Sequence, residues 1–134
     1  MISKLKGRIE FIGKNFVVLD VSGVGYKVYA SIDTLLILGK SKNKEMCLWT
    51  HLSVRENALD LYGFIENSEL NFFEMLITIS GIGPKSALGI ISVAPIDTLK
   101  RAVASGDMSY LTKVSGIGKK NAEKIIIELR DKLG

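Results

Sequence analysis

The chain repeats one short stretch, and that repeat limits what its second half can be. Ser80-Gly81-Ile82-Gly83-Pro84-Lys85-Ser86-Ala87 returns 35 positions later as Ser115-Gly116-Ile117-Gly118-Lys119-Lys120-Asn121-Ala122. Both copies read Ser-Gly-Ile-Gly-x-Lys-x-Ala. A repeat at that spacing implies one supersecondary unit used twice, although two copies are too few for a solenoid.

Helical patterns flank both copies. Ahead of the first, residues 69–79 place Leu70, Phe73, Leu76 and Ile77 at helical spacing. Behind it, Pro84 suits a first helical position, where its missing N–H costs nothing. Ahead of the second, Asp107 is expected to cap a short helix carrying Met108, Leu111 and Val114. Behind it, Ala122, Ile125, Ile126, Leu129 and Leu133 make an apolar stripe. The expected unit is helix, Gly-Ile-Gly hairpin, helix.

Such a unit can hold an anion. Two glycines let the backbone turn tightly and approach a ligand with no side chain in the way. The first N–H groups of the following helix lack intrahelical partners, and the helix dipole favours negative charge there. Ile82 and Ile117 are expected to point inward and pin each hairpin, with Lys85, Lys119 and Lys120 beside the free amides. A Gly-x-Gly between helices is most often only a connection. Two matched copies with a lysine in the same place favour two successive phosphates of one nucleic-acid backbone. The candidate phosphate-binding residues are Gly81, Ile82, Gly83, Lys85 and Ser86, then Gly116, Ile117, Gly118, Lys119, Lys120 and Asn121. A dinucleotide fingerprint does not fit, because Ser86 and Asn121 occupy the third glycine position and no strand precedes either copy.

Charge supports a polyanionic partner. The net charge is +4, and its distribution says more than the total. From Lys85 to Lys120 the basic residues are Lys85, Lys100, Arg101, Lys113, Lys119 and Lys120, against only Asp97 and Asp107. Cys47 is the single cysteine, which leaves no intrachain disulfide and no cysteine zinc cluster. No apolar run is long enough to cross a membrane, and the basic start has no signal-peptide core behind it. The expected location is the cytoplasm, and nothing calls for a cofactor or metal.

Residues 1–64 read as β structure. Residues 16–21 form a short β-branched run. In residues 23–30, Val24, Tyr26 and Val28 share one face, with Lys27 and Tyr29 on the other. Met46, Leu48, Thr50, Leu52 and Val54 alternate likewise, opposite Trp49 and His51, and Leu59, Leu61 and Gly63 mark a last strand. Residues 31–38 read as a short helix. Trp49 and the tyrosines read as packing groups, and His51 as an ordinary strand histidine. The expectation is an α+β chain. A five-stranded OB-type barrel over residues 1–64 is followed by an all-α domain with two helix-hairpin-helix motifs over 65–134.

The tandem hairpins resemble those of the RuvA family, the Holliday-junction-binding subunits of a branch-migration machine. The first half carries the resemblance too, in Gly7-Arg8, Asp20-Val21-Ser22-Gly23-Val24-Gly25-Tyr26, Thr50-His51-Leu52-Ser53-Val54-Arg55-Glu56 and Leu61-Tyr62-Gly63-Phe64. The resemblance implies a non-enzymatic subunit that binds four-way (Holliday) junction DNA by structure and not by sequence, in recombination and repair. It further implies a homotetramer, alone or paired as an octamer, whose hairpins meet the four arms. It also implies an acidic pin in the turn between the last two strands. Glu56 matches that pin, whereas Asn57 departs from the family pattern of a second acid. The partner motor would be a RuvB-type hexameric ATPase, bound through a third helical domain that is missing from these residues. No G-x-x-x-x-G-K-[ST] loop occurs in the chain itself. The alternative is a helix-hairpin-helix repair enzyme such as a glycosylase, with Lys85 as nucleophile and Asp97 as its acid, but such enzymes need a base pocket.

Overall fold

A computed structural model describes residues 1–133. Five strands come first: β1 (Lys4–Ile12), β2 (Phe16–Val21), β3 (Val24–Tyr29), β4 (Glu45–Arg55) and β5 (Ala58–Phe64). They close into a barrel in the order β1-β2-β3-β5-β4, antiparallel throughout except for the parallel β3–β5 pair. Helix α1 (Ile32–Gly39) bridges β3 and β4. Ser31 starts it, its hydroxyl accepting from the Thr34 amide at 3.2 Å.

Local chemistry sets the register. The β2–β3 turn has left-handed φ at both Ser22 (51°) and Gly23 (94°), as a two-residue hairpin of the primed type requires. Asp20 Oδ1 closes this turn by accepting from the Gly23 amide at 2.9 Å. Gly7 lets β1 and β2 approach, because a Cβ there would lie 2.4 Å from the Asp20 carbonyl oxygen. Ile9, Val17, Leu19, Val28, Leu38 and Leu48 fill the interior completely sequestered from water.

Two apolar members of the alternating faces lie open to water at strand ends. Val24 and Val54 are exposed, Val24 because it sits at the mouth of the β2–β3 turn. Val54 pairs with the equally exposed Leu59 where the β4–β5 hairpin runs out past the packed interior. Alternation fixes the side of a sheet, and it cannot say where the barrel stops covering that side.

The second part is helical: α2 (Asn67–Ile77), α3 (Pro84–Val93), α4 (Ile96–Ser105), a 3₁₀ turn (Leu111–Lys113) and α5 (Lys119–Leu133). The chain divides into two compact units between Leu70 and Asn71, inside α2. The second unit has its own interior, in which Phe72, Phe73, Leu76, Ile90, Ile125 and Leu129 are fully buried. The repeat governs this packing. Ala87, Ile90 and Ile91 are buried on α3, as are Ala122, Ile125 and Ile126 on α5, each 35 positions further on.

Between the copies the structure adds to and corrects the sequence reading. Helix α4 lies between Pro95 and Gly106 (φ 76°), where the Gly106 and Asp107 amides donate to the Val103 and Ala102 carbonyls in a Schellman stop. The expected capped helix after Asp107 is instead a single turn ending in the 3₁₀ segment. Too few residues separate the left-handed glycines at 106 and 116 for more. Asp107 caps this turn and not a regular helix: its carboxylate accepts from the Ser109 amide at 2.9 Å, a bond that lowers its pKa.

Candidate nucleic-acid interface

Both hairpins are built by the same bonds. The Ile79 carbonyl accepts from the Ile82 amide at 3.0 Å, and the Val114 carbonyl accepts from the Ile117 amide at 3.1 Å. The third residue of each turn is a glycine with φ 89°, Gly81 and Gly116, a backbone state that side chains rarely adopt. The helices then open identically, with Ala87 donating to Gly83 O at 3.0 Å and Ala122 to Gly118 O at 2.9 Å. Ile117 is buried, as expected, whereas Ile82 is only half-buried.

Gly83 and Gly118 differ from the turn glycines. A Cβ at either would meet nothing within 4 Å, and Gly83 has ordinary extended backbone (φ −91°, ψ 176°). Neither the fold nor the dihedral demands glycine at these two places. What their lack of a side chain provides is an open approach to the helix ends.

Those ends are electrostatically prepared. Helices α1, α2 and α4 each carry an acid in the first turn, namely Asp33, Glu69 and Asp97. Glu69 reaches back to accept from the Glu66 amide at 3.3 Å. Helices α3 and α5 carry none, and Gly83 offers α3 no side-chain cap. The first-turn amides of Lys85 and Ser86, and of Lys119, Lys120 and Asn121, are therefore donors at positive helix ends. The second copy is the richer one. Lys119 stands where Pro84 lacks an N–H, and it adds a second ammonium. Lys85, Lys119, Lys120 and Asn121 are exposed, and Ser86 is half-buried.

The two hairpins brace one another. Lys124 Nζ, on α5, donates to the Ser80 carbonyl of the first hairpin at 3.3 Å. Its counterpart 35 positions earlier, Gly89 on α3, lies against Val114 beside the second hairpin, and a Cβ there would come within 3.0 Å of Val114 Cγ1. This contact leaves a groove of about 410 Å³, lined by Lys85, Ser86, Gly89, Val93, Lys113, Val114 and Ser115. Lys113 thus joins Lys85 at one site, although sequence spacing alone gave no reason to pair them.

Glu56 and Asn57 form the two-residue turn between β4 and β5, with Arg55 paired to Ala58, and both are exposed. Arg55 bonds Asp60 at 3.3 Å, across the hairpin from the tip. The pair that the glycosylase alternative would need stays on separate helix starts, Lys85 on α3 and Asp97 on α4, and Asp97 does not line the groove that Lys85 borders. No group of three or more residues that could hold a metal occurs among the described residues. Nor is any described helix long and apolar enough to cross a membrane.

An OB-type barrel joined to a tandem helix-hairpin-helix unit with two phosphate-ready helix ends defines a class of nucleic-acid-binding architecture. Family models divide the chain in the same way: the RuvA N terminal domain matches residues 1–63, and a SAM-like helix-hairpin-helix tandem matches 73–131. A Holliday junction branch migration complex subunit RuvA from Thermoanaerobacter sp. (strain X514) is 48% identical over 99% of this chain and 71% of its own length. Proteins of the same name from Acetivibrio thermocellus and Chloroflexus aggregans are 41% and 42% identical over 99% of this chain, and over 65% and 68% of their own lengths. The chain belongs to the RuvA family.

Proposed function

We propose that this protein binds four-way junction DNA irrespective of base sequence, as the non-motor subunit of a branch-migration complex in recombination and repair. The observation that carries the reading is the matched pair of helix ends, both without acids in the first turn and both flanked by lysines. The names of the relatives, which match along 99% of the chain, point the same way. In this reading the amides after Gly83 and Gly118 hold successive phosphates, with Ser86 and Asn121 beside them. Lys85, Lys119 and Lys120 supply the charge. Glu56 is the acidic pin.

The chain acts in the cytoplasm as a homotetramer, alone or paired as an octamer. ATP hydrolysis belongs to a separate hexameric motor. A glycosylase needs a pocket for an extruded base beside its nucleophile, and the groove beside Lys85 brings it a second lysine in place of the acid Asp97.

Because phosphates are held and bases are not read, binding falls steeply with salt, the slope of log K against log salt changing by about −0.9 per phosphate neutralised. Lys119→Ala or Lys120→Ala therefore weakens junction and duplex binding together and flattens that slope by up to about one unit. Titrations at four salt concentrations measure this. A loss confined to one DNA sequence, with the slope intact, contradicts the reading.

A further inference from the structure

The barrel carries a feature that the hairpin chemistry leaves unused. Phe16 on β2 pairs with Tyr29 on β3, their ring centroids 6.5 Å apart and nearly perpendicular. Phe11, at the end of β1, extends the row with its centroid 6.0 Å from Phe16, and it is 53% exposed. Lys27 holds its ammonium 4.5 Å from the Phe16 ring centroid and 5.3 Å from that of Tyr29. Lys14 is exposed in the short β1–β2 connection at the end of this row.

Isolated exposed apolar residues need no explanation. Phe11 is not isolated: it packs on half-buried Phe16, whose ring lies against Gly13 and under Lys27, so one open π-face stands beside positive charge. Unpaired bases on a phosphate backbone are the ligand that uses both: each base stacks on a ring regardless of its identity, and the phosphates follow the cations. A continuous duplex cannot use the rings, since its bases are stacked inside. The location agrees, because the β2–β3 surface and the β1–β2 loop are where barrels of this type take oligonucleotides. We propose that this face binds a single strand of nucleic acid by stacking a base on Phe11, which Phe16 and Tyr29 support from behind, with Lys27 and Lys14 on its phosphates. The inference rests on the barrel alone and is independent of the hairpin reading.

The test uses the full chain carrying Lys85→Ala, Lys119→Ala, Lys120→Ala and Gly118→Asp, so that the hairpin contribution is reduced and the same in every comparison. Its affinity is measured for an oligothymidine of about fifteen nucleotides and for an abasic strand of equal length. The oligothymidine should bind more tightly than the abasic strand. Adding Phe11→Ala should lower oligothymidine affinity about tenfold, the loss expected for one stacked base, and leave the abasic strand unchanged. Lys27→Gln should weaken both. Phe11 is half in solvent, so its variant should keep the parent's melting temperature and, in the unmodified background, its junction affinity. Equal affinity for the two strands, or no effect of Phe11→Ala, overturns the proposal. So does a Phe11→Ala chain that light scattering shows to have dissociated, which would make this face a contact between copies.

Discussion

Gly118→Asp should raise the melting temperature and all but abolish junction binding. The position has room for the side chain, since a Cβ meets nothing within 4 Å, and its φ is not in the left-handed region. Aspartate is a better helix cap than glycine by a few tenths of a kcal/mol, and its charge at the positive end of α5 adds about 0.3–1 kcal/mol. For a small domain that corresponds to a gain of a few degrees. The same carboxylate accepts the amide donors that a DNA phosphate needs and repels the phosphate itself. Losing even two charge-assisted hydrogen bonds costs about 3–6 kcal/mol, or at least a hundredfold in affinity.

Gly118→Ala separates the two effects. Its poorer capping and the reduced entropy of its unfolded chain oppose each other at about 1 kcal/mol or less, so stability should hardly move, while the methyl obstructs the phosphate. Gly116→Ala behaves in the opposite way. Its φ of 89° makes alanine strained by about 1–3 kcal/mol, and stability falls first. Thermal melts and anisotropy titrations on the three variants distinguish these outcomes. Full junction affinity in Gly118→Asp would remove the amides of α5 from the interface.

The second large effect concerns discrimination. Glu56 is exposed at the tip of the β4–β5 turn, and the neighbouring Arg55 bonds Asp60. A carboxylate near a phosphate costs roughly 1 kcal/mol or more at short range. In the proposed reading, a junction that opens at its centre accommodates the tip and a continuous duplex does not. On that reading the charge selects the junction by penalising the wrong partner, once per chain in the proposed tetramer. Glu56→Gln should raise duplex affinity more than junction affinity, and Asn57→Asp should widen the preference. Paired binding curves at one salt concentration read both shifts. If neither variant changes the ratio of affinities, Glu56 is a solvated turn residue and nothing more.

The parts of this molecule that were legible in the sequence are those where one residue type answers one backbone demand. Gly81 and Gly116 announced left-handed turns, Pro84 announced a helix start, and their common spacing announced the shared hydrogen bonds. Strand alternation found the barrel. It did not reveal that Val24 and Val54 are exposed, because exposure at a strand end depends on how far the closed sheet extends. Helix α4 was readable from Pro95, Gly106 and the buried trio Leu99, Ala102 and Val103, although charge alone drew attention to that segment. Lys113 was legible only as one of the basic residues between Lys85 and Lys120. Its place beside Lys85 depends on Gly89 admitting Val114 against α3, a tertiary contact that no local pattern records.

Competition on a labelled four-way junction tests the central claim most directly. Unlabelled junction, linear duplex built from the same arm sequences, and a junction with permuted arm sequences are each titrated against the bound complex. The account predicts that both junctions compete equally and that the duplex competes only in large molar excess. A duplex that displaces the junction mole for mole, or a permuted junction that fails to displace it, would contradict structure-specific binding.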